Sequence, residues 1–131
     1  LYAILRLRAE VFVVEQNCVY QDIDNKDQIS LHVIAFKNDK IVGYTRIFKP
    51  GDYFNNASLG RVVVALNERA NAYGHEIIKA SINAIQQYFK ETTIKISAQV
   101  YLKNFYELHG FKKEGEEYLE DGIPHISMIK K

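Results

Sequence analysis

The chain has 131 residues, which is enough for one domain with a buried core that needs no disulfide or metal. Seventeen basic and sixteen acidic side chains leave a net charge of +1, which argues against a general nucleic-acid or membrane surface. No apolar run has the length of a membrane span, the opening lacks a secretory pattern, and the single Cys18 fits a reducing compartment, so we expect a cytoplasmic protein.

The N-terminal residues predict a helix. Apolar side chains from Leu1 to Phe12 follow one helical face, with Arg8 at its border, so residues 1 to about 12 are expected to be helical. Because the chain opens inside this helix without a methionine, we expect native residues to precede it.

An acidic stretch follows the predicted helix. Asp22, Asp24 and Asp27 predict a loop, and their spacing lacks the glycine and closing glutamate of a calcium loop. Two interpretations stay open. The loop is either a solvated connector or, together with Glu15, a negative rim that holds a cationic amine.

Two alternating segments, 31–37 and 40–48, predict a β-hairpin that turns at Asn38-Asp39. Residues 59–65 are apolar and β-branched and predict a buried central strand.

A helix is predicted from Gly74, because Ile78, Ile82 and Ile85 share one face. The strand-to-helix loop before it aims backbone N–H groups and the positive end of the helix dipole at one point, where Arg69 adds its charge. This arrangement predicts a phosphate site, with a plain solvated connection as the alternative.

The C-terminal third predicts a buried strand over 92–98, parallel to the central strand, and a short helix over 101–109. Residues 111–118 and 123–129 are expected to close the sheet as an antiparallel pair. The chain shows no internal repeat.

Several motifs in this order resemble the GNAT N-acetyltransferases. The segment 69–74 is similar to their Arg/Gln-x-x-Gly-x-Gly/Ala loop, although Ala72 replaces the first glycine. The segment 98–111, with Asn104 and Tyr106 before Gly-Phe, resembles their second signature. The segments 8–16, 20–27 and 121–126 resemble the ElaA-type branch. The resemblance covers essentially the whole chain, here interpreted as a single GNAT domain.

This resemblance implies an α/β (α+β) fold with a mixed, mostly antiparallel sheet that splays between two central parallel strands and is flanked by helices. Acetyl-CoA is then the cosubstrate, lies between those strands, and needs no metal. Pantetheine would pair with the backbone of Val62, Val63 and Val64, and Asn104 would hydrogen-bond the CoA arm. The pyrophosphate would rest on Arg69, Ala70, Asn71, Ala72, Tyr73 and Gly74.

The same resemblance makes Tyr106 the group that donates to the departing thiolate, while a backbone N–H at or near Val63 could stabilise the oxyanion. The amine acceptor is unidentified, and the oligomeric state is open, with a homodimer as one option. Candidate bases, among which the sequence does not choose, are Glu10, Glu15, His32, Glu107 and His125. Candidate acceptor-binding residues are Glu15, Asp22, Asp24, His32, Arg46, Arg61 and His125.

Three alternatives compete with direct acetyl transfer to an amine. The chain also resembles, more loosely, acyl-homoserine lactone synthases, at Arg8, Phe12, Asp22, Asp24, Asp27 and Arg46. Those enzymes lack the Arg-x-x-Gly-x-Gly loop that segment 69–74 resembles, which argues against this alternative. A non-catalytic acyl-CoA-binding module would bind CoA without turnover. Metal-dependent chemistry is poorly supported, because one cysteine and four scattered histidines give no ligand spacing.

Overall fold

A computed structural model describes residues 1–16, 22–65 and 73–131. The chain begins with helix α1, Tyr2–Arg8, which continues without a break into a π-helical segment, Ala9–Glu15. The apolar face predicted from the sequence is buried along both parts, at Ile4, Leu7 and Val11. The predicted end near residue 12 was wrong by about three residues, because the helix widens to π geometry instead of ending.

The first sheet contains β1 (Leu31–Lys37), β2 (Lys40–Phe48) and β3 (Ser58–Val64), antiparallel in the order β1-β2-β3. Asn38 and Asp39, at the predicted turn, have φ angles of 50° and 65°, as a two-residue type I′ hairpin turn requires. The predicted hairpin is therefore confirmed.

The second sheet contains β4 (Ile94–Gln99), β5 (Lys112–Glu120) and β6 (Ile123–Lys130), antiparallel in the order β4-β6-β5. One parallel bridge, Ala57 to Ile94, joins the two sheets where β3 and β4 begin, and the Lys95 N–H donates to the Ala57 carbonyl at 2.9 Å. Beyond this point no strand pairing joins β3 to β4 within the described ranges. The expected splayed sheet with two central parallel strands is confirmed.

Helices connect and cover these strands. Helix α2 (Tyr73–Phe89) lies between β3 and β4 in the chain and buries Ile77, Ile78 and Ile85, which confirms the predicted face. A 3₁₀ turn over Val100–Leu102 leads into α3 (Lys103–Glu107), so the α-helical part is shorter than predicted. Another 3₁₀ turn, Asp27–Ile29, precedes β1.

The helices and the two sheets enclose two buried apolar clusters. A larger apolar cluster joins α2 and α3 to β3, β4 and β6, and a smaller one joins α1 and the π-helical segment to β2 and β3. None of the helices in the described residues has the length and apolar character needed to cross a bilayer.

Candidate active site

A cavity of about 390 Å³ opens where β3 and β4 diverge. Its walls come from β3, β4, the π-helical segment, α3 and the turn between β5 and β6. The three valines whose backbone is expected to pair with pantetheine, Val62, Val63 and Val64, all line it. The sheet split thus creates a cleft along the strand that the family resemblance assigns to pantetheine, and the position of the cosubstrate stays a prediction.

A β-bulge shapes the β3 wall of this cavity. Tyr44 is opposite Val63 and Arg46 is opposite Gly60, so β3 contains one residue more than β2 over the same span. Arg61 sits in the bulge with a φ angle of 51°, a left-handed conformation that is costly for a residue with a Cβ. The bulge changes the direction of the β3 backbone beside the cleft.

The predicted phosphate loop is only partly described. Arg69, Ala70, Asn71 and Ala72 lie outside the described residues. Tyr73 is the first residue of α2, and Gly74 lines the cavity. The start of this helix therefore reaches the cavity wall, and the loop assignment stays a prediction.

Tyr106 projects from α3 into the same cavity. The residue is only 6% exposed, and its ring packs edge-to-face against Phe105 and Phe111. Burial raises the pKa of the Tyr106 hydroxyl far above its ordinary value, so the hydroxyl stays protonated and can donate. Asn104 is exposed on α3 and is not part of the cavity wall, so its role toward the CoA arm stays a prediction.

His125 and Glu120 form a polar cluster on the wall made by β5 and β6. His125 is 7% exposed, and its Nδ1 lies 2.7 Å from the Ile123 carbonyl oxygen. Its Nε2 lies 3.4 Å from Glu120 Oε2. Ser97 Oγ lies 3.3 Å from Glu120 Oε1 and 2.5 Å from the Tyr118 hydroxyl. Among these residues only His125 was singled out from the sequence.

The pairing register of β5 and β6 could have indicated that Glu120 lies beside His125. Asp121 and Gly122 have φ angles of 53° and 76°, again a two-residue type I′ turn. That turn pairs Glu120 with Ile123 and Tyr118 with His125. Since side chains alternate along a strand, Tyr118, Glu120 and His125 share one face of the hairpin.

Two buried arginines bind the acidic loop. Arg8 Nε lies 3.1 Å from Asp22 Oδ2, and its Nη1 lies 2.8 Å from Asp27 Oδ1. Arg46 Nη2 lies 2.7 Å from Asp24 Oδ2, and its Nη1 lies 3.1 Å from Asp27 Oδ1. Both arginines are at most 1% exposed, so these are buried ion pairs.

Arg61 extends this network to the cleft. Its Nε lies 2.8 Å from Asp22 Oδ1, and its Nη2 lies 3.4 Å from Asp24 Oδ2. Of the two interpretations of the acidic loop, the solvated connector was therefore wrong, and the premise of a negative rim needs correction, because arginines compensate these carboxylates. Arg61 is the member of the network that lines the cavity.

The other predicted acceptor residues divide into two groups. Glu15 lines the cavity together with Arg61 and His125. His32 instead lies on β1, where it is hydrogen-bonded to the Tyr44 hydroxyl, whose pKa burial raises to about 12. The cavity wall does not include His32, Arg46, Asp22 or Asp24, so the geometry gives no support to direct acceptor contact by these four.

The described residues contain no cluster of side chains suited to binding a metal ion. Across residues 1–16, 22–65 and 73–131, no three histidine, cysteine, aspartate or glutamate side chains come close enough together to hold a metal ion.

Comparison with known proteins identifies the family. The model of the GNAT acetyltransferase domain matches residues 5–131. The chain belongs to the GNAT acetyltransferase family. Within it, the chain is 41% identical over 132 residues to the protein ElaA of Escherichia coli, covering 99% of this chain and 86% of ElaA.

Solved structures show the same similarity at the level of the fold. The crystal structure of Escherichia coli ElaA has a TM-score of 0.90 and 39% identity, covering 99% of this chain and 88% of that one. An acyl-CoA N-acyltransferase from Pseudomonas aeruginosa has a TM-score of 0.92 and 36% identity, covering 99% of this chain and 89% of that one. The cavity at the sheet split is thus the candidate active site of a GNAT acetyltransferase.

Proposed function

We propose that this GNAT protein is an N-acetyltransferase that moves the acetyl group of acetyl-CoA directly to an amine. One observation supports the proposal above all others. The cavity that lies along the bulged strand β3 is also lined by Tyr106, whose hydroxyl is protonated. A thioester placed along that strand would have its sulfur within the same small volume as a hydroxyl donor.

The splayed strand is suited to the pantetheine arm. Backbone N–H and C=O groups need partners when they are buried, and an extended amide-containing chain can supply them as an added strand would. In this proposal the arm lies along Val62–Val64, and the pyrophosphate lies at the start of α2, near Gly74 and the loop before it. Acetyl-CoA supplies an already activated acyl group, so the protein needs to contribute mainly positioning.

The chain's own groups then have limited tasks. A backbone N–H near Val63 donates to the carbonyl oxygen as negative charge develops on it. The Tyr106 hydroxyl donates to the sulfur as the C–S bond breaks. The attacking amine loses its proton to an acceptor in the cleft. These tasks balance the reaction, which yields an amide and coenzyme A.

A screen tests the proposal. Purified protein is incubated with acetyl-CoA and a panel of primary amines, polyamines and peptide N-termini, and release of coenzyme A is followed by thiol detection. We expect saturable CoA release that depends on the amine, with the N-acetylated product identified by mass spectrometry. Titration calorimetry with coenzyme A alone is expected to give saturable heat.

Two results would contradict the proposal. Binding of coenzyme A without turnover on any amine would indicate a non-catalytic acyl-CoA-binding protein. Rejection of acetyl-CoA with acceptance of long-chain acyl carriers would indicate chemistry like that of the homoserine lactone synthases.

A further inference from the structure

We propose that His125 and Glu120 form the acceptor subsite, in which Glu120 binds a primary alkylammonium ion and His125 removes its proton. This inference rests on the proposed acetyl transfer and defines the chemical class of its acceptor. It is carried by the position of both side chains on the cavity wall and by their mutual geometry.

The contact to Ile123 favours one tautomer of His125. A carbonyl oxygen only accepts hydrogen bonds, so the nitrogen 2.7 Å from it, Nδ1, donates. In the neutral ring the lone pair is then on Nε2, which lies 3.4 Å from Glu120 Oε2. A proton taken up by Nε2 would therefore lie beside a carboxylate, which stabilises the imidazolium as it forms.

Glu120 is held but accessible. Its Oε1 accepts from Ser97 Oγ at 3.3 Å, and its side chain is 43% exposed. Ser97 in turn contacts the Tyr118 hydroxyl, whose ring stacks with that of His125 at a centroid distance of 6.2 Å. The cluster thus fixes one carboxylate oxygen and leaves the other directed at His125.

The carboxylate of Glu120 favours a cation. It brings a half-exposed negative charge to the described cavity wall, whereas the guanidinium of Arg61 on that wall is ion-paired with Asp22 and Asp24. An alkylamine is an ammonium ion near neutral pH and is attracted to such a wall. An arylamine is neutral there and gains nothing from it.

The step balances without any further reactant. The ammonium N–H bond breaks, its proton moves to His125 Nε2, and the freed lone pair forms the C–N bond to the acetyl carbon. After attack the nitrogen carries a positive charge, and it loses a second proton to water as the C–S bond breaks. The sulfur leaves as a thiolate that Tyr106 stabilises by hydrogen bonding. His125 then returns its proton to the thiolate or to water.

The first experiment uses His125→Asn in the wild-type chain. The asparagine amide can keep the bond to the Ile123 carbonyl, but it cannot accept a proton at the position of Nε2. We expect kcat/KM for an alkylamine to fall about 100-fold near pH 7. The deficit should shrink about tenfold per pH unit toward pH 9, as the free amine becomes available and replaces the missing base. Coenzyme A affinity should not change.

Among the described residues, the titratable groups that face His125 are Glu120 and Tyr118 on β5, and the other charged groups that line the cavity are Glu15, Arg61 and Asp121. The pH profile of wild type is therefore measured beside that of the variant. A loss in His125→Asn that stays constant with pH, or no loss at all, overturns the role of His125.

The second experiment uses Glu120→Gln, which keeps an acceptor for Ser97 but removes the charge. KM for an alkylamine should rise about tenfold, while KM for an arylamine should stay within about twofold of wild type. The matched control is Glu117→Gln, an exposed position on the same strand and outside the cavity wall, which should leave both values unchanged.

These outcomes separate the inference from the proposed function. If the wild type acetylates amines but Glu120→Gln raises the two KM values equally, only the acceptor subsite is refuted. If the wild type binds coenzyme A but acetylates no amine, acetyl transfer itself fails, and the subsite fails with it. Calorimetric titration of an alkylammonium into the CoA complex, in wild type and Glu120→Gln, gives a readout independent of turnover. Equal affinities there overturn the role of Glu120.

Discussion

At the scale of single residues, the packing of Tyr106 can be tested apart from its proposed catalytic role. Its ring packs edge-to-face against Phe105 and Phe111, and these contacts need only the aromatic ring and not the hydroxyl. Tyr106→Phe therefore keeps the packing and removes the hydroxyl. In the proposed mechanism that hydroxyl donates to the sulfur as the C–S bond breaks, and it contributes little to the affinity for coenzyme A. We therefore expect kcat to fall about 100-fold, while the Kd for coenzyme A changes less than about threefold.

Tyr88→Phe is the control for this variant. Tyr88 is 64% exposed on α2 and is absent from the cavity wall, so loss of its hydroxyl should leave turnover unchanged. Steady-state CoA release and calorimetry are measured for both variants. Turnover of Tyr106→Phe equal to that of Tyr88→Phe would remove Tyr106 from the chemistry.

At the scale of elements, the bulge in β3 combines backbone strain with an ion pair. Arg61 has a φ angle of 51°, and its guanidinium contacts Asp22 and Asp24. Arg61→Gly loses the ion pairs but tolerates the left-handed backbone, whereas Arg61→Ala loses the ion pairs and keeps the steric cost. We expect both variants to be less stable than wild type, and Arg61→Ala to be less stable than Arg61→Gly by about 1 kcal/mol.

Urea denaturation measures this order. The two variants lose the same side-chain contacts, so the difference between their free energies of unfolding isolates the backbone conformation at position 61. An alanine variant as stable as the glycine variant would show that the bulge relaxes when Arg61 is removed, and that the ion pair maintains the left-handed conformation.

Elements with a local pattern were predictable from the sequence. The β1–β2 hairpin follows from strand alternation around Asn38-Asp39, and α2 follows from the spacing of Ile78, Ile82 and Ile85. The π geometry of Ala9–Glu15 and the bulge at Arg61 were missed. The π-helix widens each turn by one residue, and the bulge inserts one residue into β3. The spacing of apolar residues in the sequence does not reveal either change of register.

At the scale of the whole molecule, long-range pairing explains the remaining errors. The Arg8, Arg46 and Arg61 ion pairs join residues that lie between 14 and 39 positions apart in the chain. The sequence shows which residues are charged, but it does not show which of them form ion pairs. For the same reason, the sequence suggested His125 as a site residue but not its partner. Glu120 can be identified only when the register of the β5–β6 hairpin is known.

This network connects α1, the acidic loop, β2 and β3, so its protonation should affect global stability. Burial alone would raise the pKa of Asp27, but the hydrogen bonds and charges of Arg8 and Arg46 outweigh it and lower the pKa below 3.8. The pKa of Asp24 is lowered in the same way, mainly by Arg46. Between these lowered values and 3.8 the unfolded chain binds more protons than the folded one, so stability falls as pH falls.

Asp27→Asn tests this linkage. The variant keeps an acceptor for Arg8 and Arg46 but leaves their charges with one partner fewer, so we expect a loss of about 2 kcal/mol near pH 7. The wild type should lose more of its free energy of unfolding than the variant between about pH 5 and pH 3, because only the wild type must protonate Asp27. Asp39→Asn, at an exposed hairpin turn where asparagine tolerates positive φ, should follow the wild-type pH profile. Parallel pH profiles for wild type and Asp27→Asn would mean that the network adds no pH-dependent stability, and that its arginines serve only to hold the acidic loop beside the cleft.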